Sequence, residues 1–339
     1  MITDFLSIFQ GDKTPLFLAP QAGVSESPFR RLCREYGADV VVSEFVSADG
    51  LCRGNEKTHH YLRFDASERP IGMQIFGADP AVMADAAALV TEAYAPDFVD
   101  INFGCPVKKV VKRNGGSGCL RDLSLVGDII RSVVNATPVP VTVKTRSGFS
   151  ESTRDPVGIA LRVQEAGARM ITLHPRTRAD MYGGHARWDE IRALVEALEI
   201  PVVGNGDIRT GEDALRMKKE TGCHGIMMAR GTHGAPWLFE QARAALDGNP
   251  IPPNPGVEER FRVCLRHARK AMEFGGDTRR AAVEFRKHLG WYTKGIRGGS
   301  RLRQELFQVT SLQEMEALLL GYLEDSRADV ADPGSIPAR

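Results

Sequence analysis

Cys105 stands three residues after Asn102 in DINFGCPVKKVVKRNGGSGCL (100 to 120), followed by Pro106 and by Lys108, Lys109, Lys112 and Arg113 before Gly115 and Gly116. A thiol on a loop rich in positive charge can trade a proton with a ligand. Cys119, where a helix is expected to begin among Leu120 and Leu123, reads as a packing residue. Gln74, Lys144 and His174 each lie near the end of a short apolar run, in GMQIFG, VTVKT and ITLHP. A lysine buried in such a place is costly unless it meets an anionic or carbonyl-rich ligand. A flavin ring is one such ligand, because N1, O2 and O4 accept charge on reduction and Lys, Gln and His can donate to them. A Schiff-base role for Lys144 is the alternative, and His174 by itself fits a core histidine equally well. GNGDI (204 to 208) and MMARGTHG (227 to 234) offer glycines and Arg230, a pattern suited to a phosphate; plain turn chemistry is the competing reading.

These residues need a frame that brings them to one place. Eight apolar runs recur at fairly even intervals, at 16 to 20, 38 to 45, 70 to 77, 98 to 104, 139 to 145, 169 to 175, 200 to 206 and 224 to 231. Segments with helical spacing separate them, many preceded by Ser, Asp or Thr. Such alternation over about 240 residues predicts an α/β fold, a (β/α)8 TIM barrel, rather than an open doubly wound sheet, whose glycine fingerprint is missing. In a barrel the polar strand ends gather at one mouth. NPIPPNPG (249 to 256) breaks the pattern, so the barrel is expected over 1–248 and a small all-helical domain over 257–325, with helices near 257 to 274, 278 to 293 and 311 to 325. A disordered tail is expected over 326–339.

The 339 residues carry 44 basic and 43 acidic side chains, so net charge alone favours no polyanion. From Arg260 to Arg303, however, thirteen Lys and Arg face Glu273, Asp277 and Glu284, an excess of ten, which leaves the remainder nine negative. That asymmetry is the footprint of a polyanion-binding appendage; solvated helix faces are the alternative. The six cysteines include no C-x-x-C and no zinc spacing, so neither a disulfide scaffold nor a metal site is expected. No signal peptide or run of eighteen apolar residues is visible, which predicts a cytoplasmic protein without a membrane partner.

The strings LAPQAGVSESPFRRL, GMQIFG, DINFGCPVKKV, VTVKTRSGF, TLHPRTRADMYGG, VVGNGDI and MMARG, in this order, resemble the tRNA-dihydrouridine synthases from about residue 15 to 325. FRKHLGWYTKGIRG resembles the helical RNA-binding domain of the bacterial B subgroup, while DINFGCP is closer to the C subgroup. The resemblance implies an FMN enzyme that reduces a uracil of the tRNA D-loop to 5,6-dihydrouridine with NADPH as reductant. Flavin N5 would deliver hydride to C6 and Cys105 a proton to C5. It implies FMN contacts at Pro20, Gln21, Ala22, Gln74, Lys144, His174, Asn205, Gly206, Asp207, Ala229 and Arg230. Contacts to uracil and tRNA are expected from Asn102, Arg146, Arg176, Tyr182, Lys108 and Lys109. Gln21 departs from the family's usual Met. A monomer with tRNA as its partner and no protein partner is expected. Rival functions are an FMN reductase of free pyrimidines, a colourless aldolase or epimerase, and a tRNA-binding or folding factor.

Overall fold

The computed structural model describes residues 5–276 and 278–331. Eight barrel strands are formed: β1 (Leu16–Leu18), β2 (Val40–Val42), β3 (Ile71–Phe76), β4 (Phe98–Phe103), β5 (Val141–Arg146), β6 (Met170–His174), β7 (Val202–Asn205) and β8 (Gly225–Met228). Each pairs in parallel with the next, and β8 closes on β1 through Leu16 opposite Ile226. The ring is therefore closed, as eight parallel strands with intervening helices require. A two-residue ladder not expected from the sequence, Val46–Ser47, extends pairing beside Ile75 and Phe76.

The strand period of two explains how one barrel holds both a dry core and a polar mouth. Phe17, Val40, Phe98, Met170, Val203 and Met227 pack as one buried cluster at the base, joined by Ala19 and Val42. Phe5, from the short 3₁₀ turn Phe5–Phe9, closes this end by stacking on Phe98 at 4.2 Å. Gly72 makes room for Phe98, because a Cβ there would lie 2.2 Å from the ring. Two and four residues along the same columns, the side chains turn polar: Phe98 is followed by Asp100 and Asn102, Met170 by Thr172 and His174, Val203 by Asn205 and Asp207. The alternate positions, such as Val99, Ile101, Val143, Ile171 and Leu173, are fully buried as well. This makes the runs look uniformly apolar in sequence.

Helix starts are set by local capping. Asp79 accepts from the backbone N–H of Ala81 and Val82, ahead of the helix Pro80–Tyr94. Asp122 does the same for Ser124 and Leu125 at the start of Leu123–Ala136. Each such cap is worth about 1 kcal/mol.

The described residues divide into two compact units, one within 5–232 and 237–252, the other within 233–236 and 253–331. The second is built from the helices Val257–Gly275, Thr278–Tyr292, Gly299–Leu306 and Leu312–Ala331. Phe261, Cys264, Ala268, Phe285, Leu289, Tyr292, Leu302, Leu306, Met315 and Leu319 are buried in it. The helix Gly299–Leu306 is an addition to the three expected. The last helix is drawn to Ala331, past the limit of 325 expected for this unit, and positions 332–339 of the expected tail lie outside the described residues.

Candidate active site

Cys105 follows β4 in a turn held from both sides. Its N–H and that of Gly104 donate to Asn102 Oδ1 at 2.9 and 3.0 Å, and its carbonyl accepts from the Ser117 N–H and hydroxyl. Gly116 (φ +56°) lies against it, since a Cβ there would meet the Cys105 Cβ at 3.0 Å. The residue is 6 % exposed. Burial pushes the thiol's pKa above its usual 9.0, more strongly than the N–H of Val107 and the charge of Arg146 pull it down. At neutral pH Cys105 is therefore a thiol, in the protonation state of an acid. Lys108 and Lys109 begin the short helix Lys108–Val111 and point to solvent. Cys119 is fully buried and donates to the Asn114 carbonyl; burial raises its pKa to about 12, as a packing residue allows.

Around the mouth the other expected residues fall into three groups. In the first, Gln74 Oε1 accepts from Asn102 Nδ2 at 2.7 Å, while Gln74 Nε2 donates to Asp100 at 2.6 Å. That amide carries a second N–H besides. In the next group, Lys144 Nζ donates to Asn205 Oδ1 at 2.9 Å, and Asn205 Nδ2 holds the Met227 carbonyl. Burial, with the nearby charge of Arg146, lowers the pKa of Lys144 to about 8, against the opposing pull of Asp100. In the third, His174 Nε2 lies 3.1 Å from Arg176 Nη1. A guanidinium only donates, so Nε2 accepts and the proton sits on Nδ1. Burial, and then the charges of Lys144, Arg146, Arg176 and Arg230, hold the His174 pKa well below 6.5, so the ring is neutral.

Two buried arginines shape the loop that carries Tyr182. Arg146, 2 % exposed, donates from Nε to the Gly104 carbonyl and from Nη1 to those of Thr177 and Met181, at 2.8 to 2.9 Å. Arg176, also expected at the uracil, has Nε on the Gly183 carbonyl, Nη2 on Gly184 and Asp207, and Nη1 beside His174. Tyr182 is 49 % exposed, with the guanidinium of Arg146 5.4 Å and that of Arg230 4.4 Å from its ring. Arg154 braces the same loop through Asp180 and reaches Glu190 and Glu151, a network that the sequence reading did not single out.

The turns after β7 and β8 touch. Gly206 has φ +126°, and a Cβ on Gly231 would lie 2.2 Å from the Ile208 carbonyl. Close approach thus requires these glycines whatever they bind. Asp207 (φ +56°) accepts from Arg176 and from the Ala186 N–H, and Arg230 lies 3.9 Å away with half of its side chain open. The carbonyl of Ala229 closes the short turn Arg230–Thr232 by accepting from Thr232. Gln21, next to Pro20 and Ala22, forms a turn in which its N–H donates to Ser25 Oγ and its carbonyl accepts from Val24 and Ser25.

The mouth therefore combines a protonated thiol, a half-buried ammonium, a neutral imidazole with an Nδ1–H, and a half-open guanidinium. That set suits a ligand with several carbonyl-like acceptors and an anionic tail. Among the described residues no helix is long and apolar enough to cross a membrane.

Residues 17–327 match the family model of dihydrouridine synthase (Dus). The chain is 37% identical over 312 residues to tRNA-dihydrouridine synthase B of Pseudomonas putida, covering 92% of each chain. It is 39% identical to the protein of that name from Pseudomonas aeruginosa, with 89% of this chain and 90% of that one covered. A probable tRNA-dihydrouridine synthase 1 of Synechocystis sp. is 40% identical, over 89% of this chain and 84% of the relative.

Proposed function

The chain belongs to the dihydrouridine synthase family, enzymes that reduce uridine in tRNA to dihydrouridine, and from that premise we propose that it is an FMN enzyme driven by NADPH and acting on a D-loop uridine. The observation that carries this reading is a protonated thiol, Cys105, on the same barrel mouth as the donors Lys144, His174 and Gln74.

The donor set fits FMN. Lys144, His174 Nδ1–H and the remaining Gln74 N–H are suited to the ring's acceptors, and Arg230 beside the two touching turns is suited to its phosphate. Pro20, Gln21, Ala22, Asn205, Gly206, Asp207 and Ala229 complete this wall of the site. FMN held by these residues would supply a hydride for uracil C6, with NADPH as the source of its electrons. Cys105 gives its proton to C5 and takes another from solvent afterwards. Its turn is held by Asn102 and Ser117, so the donor does not have to be ordered for each turnover. Arg146 keeps a positive charge close to the reacting face, where negative charge grows on the uracil carbonyls before protonation. Tyr182 offers an open aromatic face to a base drawn out of the RNA stack. Lys108 and Lys109, on the exposed side of the Cys105 loop, and the exposed cations of the helical unit contact phosphates. Arg176 acts at one remove, by fixing His174, Asp207 and the Tyr182 loop.

Heat release of the cofactor, with chromatography against FMN and FAD standards, tests the flavin assignment. Anaerobic titration with NADPH and with NADH then tests the reductant. A colourless protein, or a flavin bleached faster by NADH, would overturn the corresponding part.

A further inference from the structure

Gln74, Asp100 and Thr142 stand side by side across β3, β4 and β5, each opposite the next in the ladder, and all are buried. The Thr142 hydroxyl donates to Asp100 Oδ1 and the Gln74 amide to Oδ2. Gln74 Oε1 accepts from Asn102 Nδ2, and Asn102 Oδ1 accepts from the N–H groups of Gly104 and Cys105. An ionised carboxylate can only accept and a backbone N–H can only donate, so both amides between them have one orientation. Gln74 turns its NH2 to Asp100 and its carbonyl to Asn102; Asn102 then has its carbonyl free for the Cys105 turn. The links through Gln74 and Asp100 are short and buried, where a reversed amide would set donor against donor.

We propose that Asp100 is a positioning residue for the proton donor: through Gln74 and Asn102 it fixes the turn that carries Cys105. This rests on the reading of Cys105 as the acid. The strand period places Asp100 directly below Asn102 on one column, two residues from the mouth, so it touches the turn only through the amides. An isolated carboxylate at this depth would be costly, and burial does lift its pKa to about 6, against Thr142, Gln74 and the charge of Lys144. Those three contacts keep an ionised acceptor at the foot of the chain at neutral pH.

The test compares Asp100→Leu, which keeps bulk and removes the acceptor, with Asp100→Asn, which retains a side-chain carbonyl for Gln74. Asp100→Ser is made alongside in case the leucine variant does not fold. Thr142→Val serves as the control, since it takes the other hydrogen bond from the same carboxylate and leaves the amide chain in place. Two quantities are read: Cys105 alkylation by iodoacetamide, located by peptide mass spectrometry, and kcat and KM for tRNA. For Asp100→Leu or Asp100→Ser, kcat is expected to fall by about tenfold to a hundredfold with KM nearly unchanged, as loss of alignment does. Cys105 alkylation should accelerate severalfold, while Asp100→Asn and Thr142→Val stay near wild type on both measures. A folded leucine or serine variant with wild-type alkylation at Cys105 overturns the proposal. Because alkylation needs no turnover, that result stays separate from a failure of the wild-type protein to make dihydrouridine.

Discussion

The arginines of the barrel mouth and those of the helical unit are the same residue put to opposite uses. Arg146 and Arg176 are each 2 % exposed and hold backbone carbonyls, and Arg30, fully buried, pairs with Glu68 and holds Ser25 and Arg63. In the helical unit Arg301 keeps 90 % of its side chain open, and Arg262 and Arg280 keep more than 60 %. The helical unit is itself divided. Arg260, Arg286 and Arg303 bond carbonyls of Tyr292, Lys294, Gln308, Val309 and Thr293, whereas Arg279, Lys287 and Arg297 are exposed. A buried guanidinium with all its donors directed fixes geometry; an exposed one adds long-range attraction that salt screens. Positive charge in the sequence therefore says little about RNA until its burial is known.

The sharpest break between the two regions should come from Cys105→Ala. Dihydrouridine formation is expected to fall by about 10²- to 10⁴-fold, the usual worth of a positioned acid, with tRNA affinity and reduction by NADPH retained. Product formation near wild type would remove the thiol from the mechanism. Glu68→Gln should next show the cost of stranding a buried arginine, about 3–5 kcal/mol of stability by denaturant titration. A loss below about 1 kcal/mol would mean that Arg30 finds another partner.

Smaller effects should sharpen the contrast. Lys144→Met is expected to weaken FMN binding by about tenfold, as loss of one charged hydrogen bond does. The wild type should behave similarly as pH rises through about 8, because the ammonium is charged below that value and neutral above it. FMN affinity that is flat across that range would show that the charge of Lys144 is not used. Reversing Arg279, Lys287 and Arg297 to Glu together should lower tRNA affinity by roughly tenfold at moderate salt and flatten its salt dependence, leaving NADPH oxidation unchanged. The same reversals without effect on tRNA would reduce the basic stretch to a solvated face. Arg280→Ala, which removes an exposed pair with Glu284, should move stability by less than about 0.5 kcal/mol.

The barrel was legible because its apolar runs, cut off by glycine and proline, came at the interval a strand and a helix require. Its inner columns were not, since residues on both faces of each strand are buried and the period of two is hidden. Asp100 illustrates the loss: an acidic residue inside FVDINFG was visible, but only the ladder shows it between Gln74 and Thr142. The bonds of Arg176 were hidden for a related reason. Sequence puts it two residues past His174, at the mouth, but cannot tell that Gly183, Gly184 and Asp207 fold back onto it. The helix Gly299–Leu306 escaped notice because it is short and buries Leu302 and Leu306 on an otherwise largely polar stretch.

The most direct measurement is to incubate the protein and NADPH with tRNA from a strain lacking dihydrouridine and to map the nucleosides by mass spectrometry. A gain of two hydrogens at a D-loop uridine is the expected result. A flavin that NADPH reduces while the tRNA stays unchanged, or a gain confined to free uridine, would contradict it.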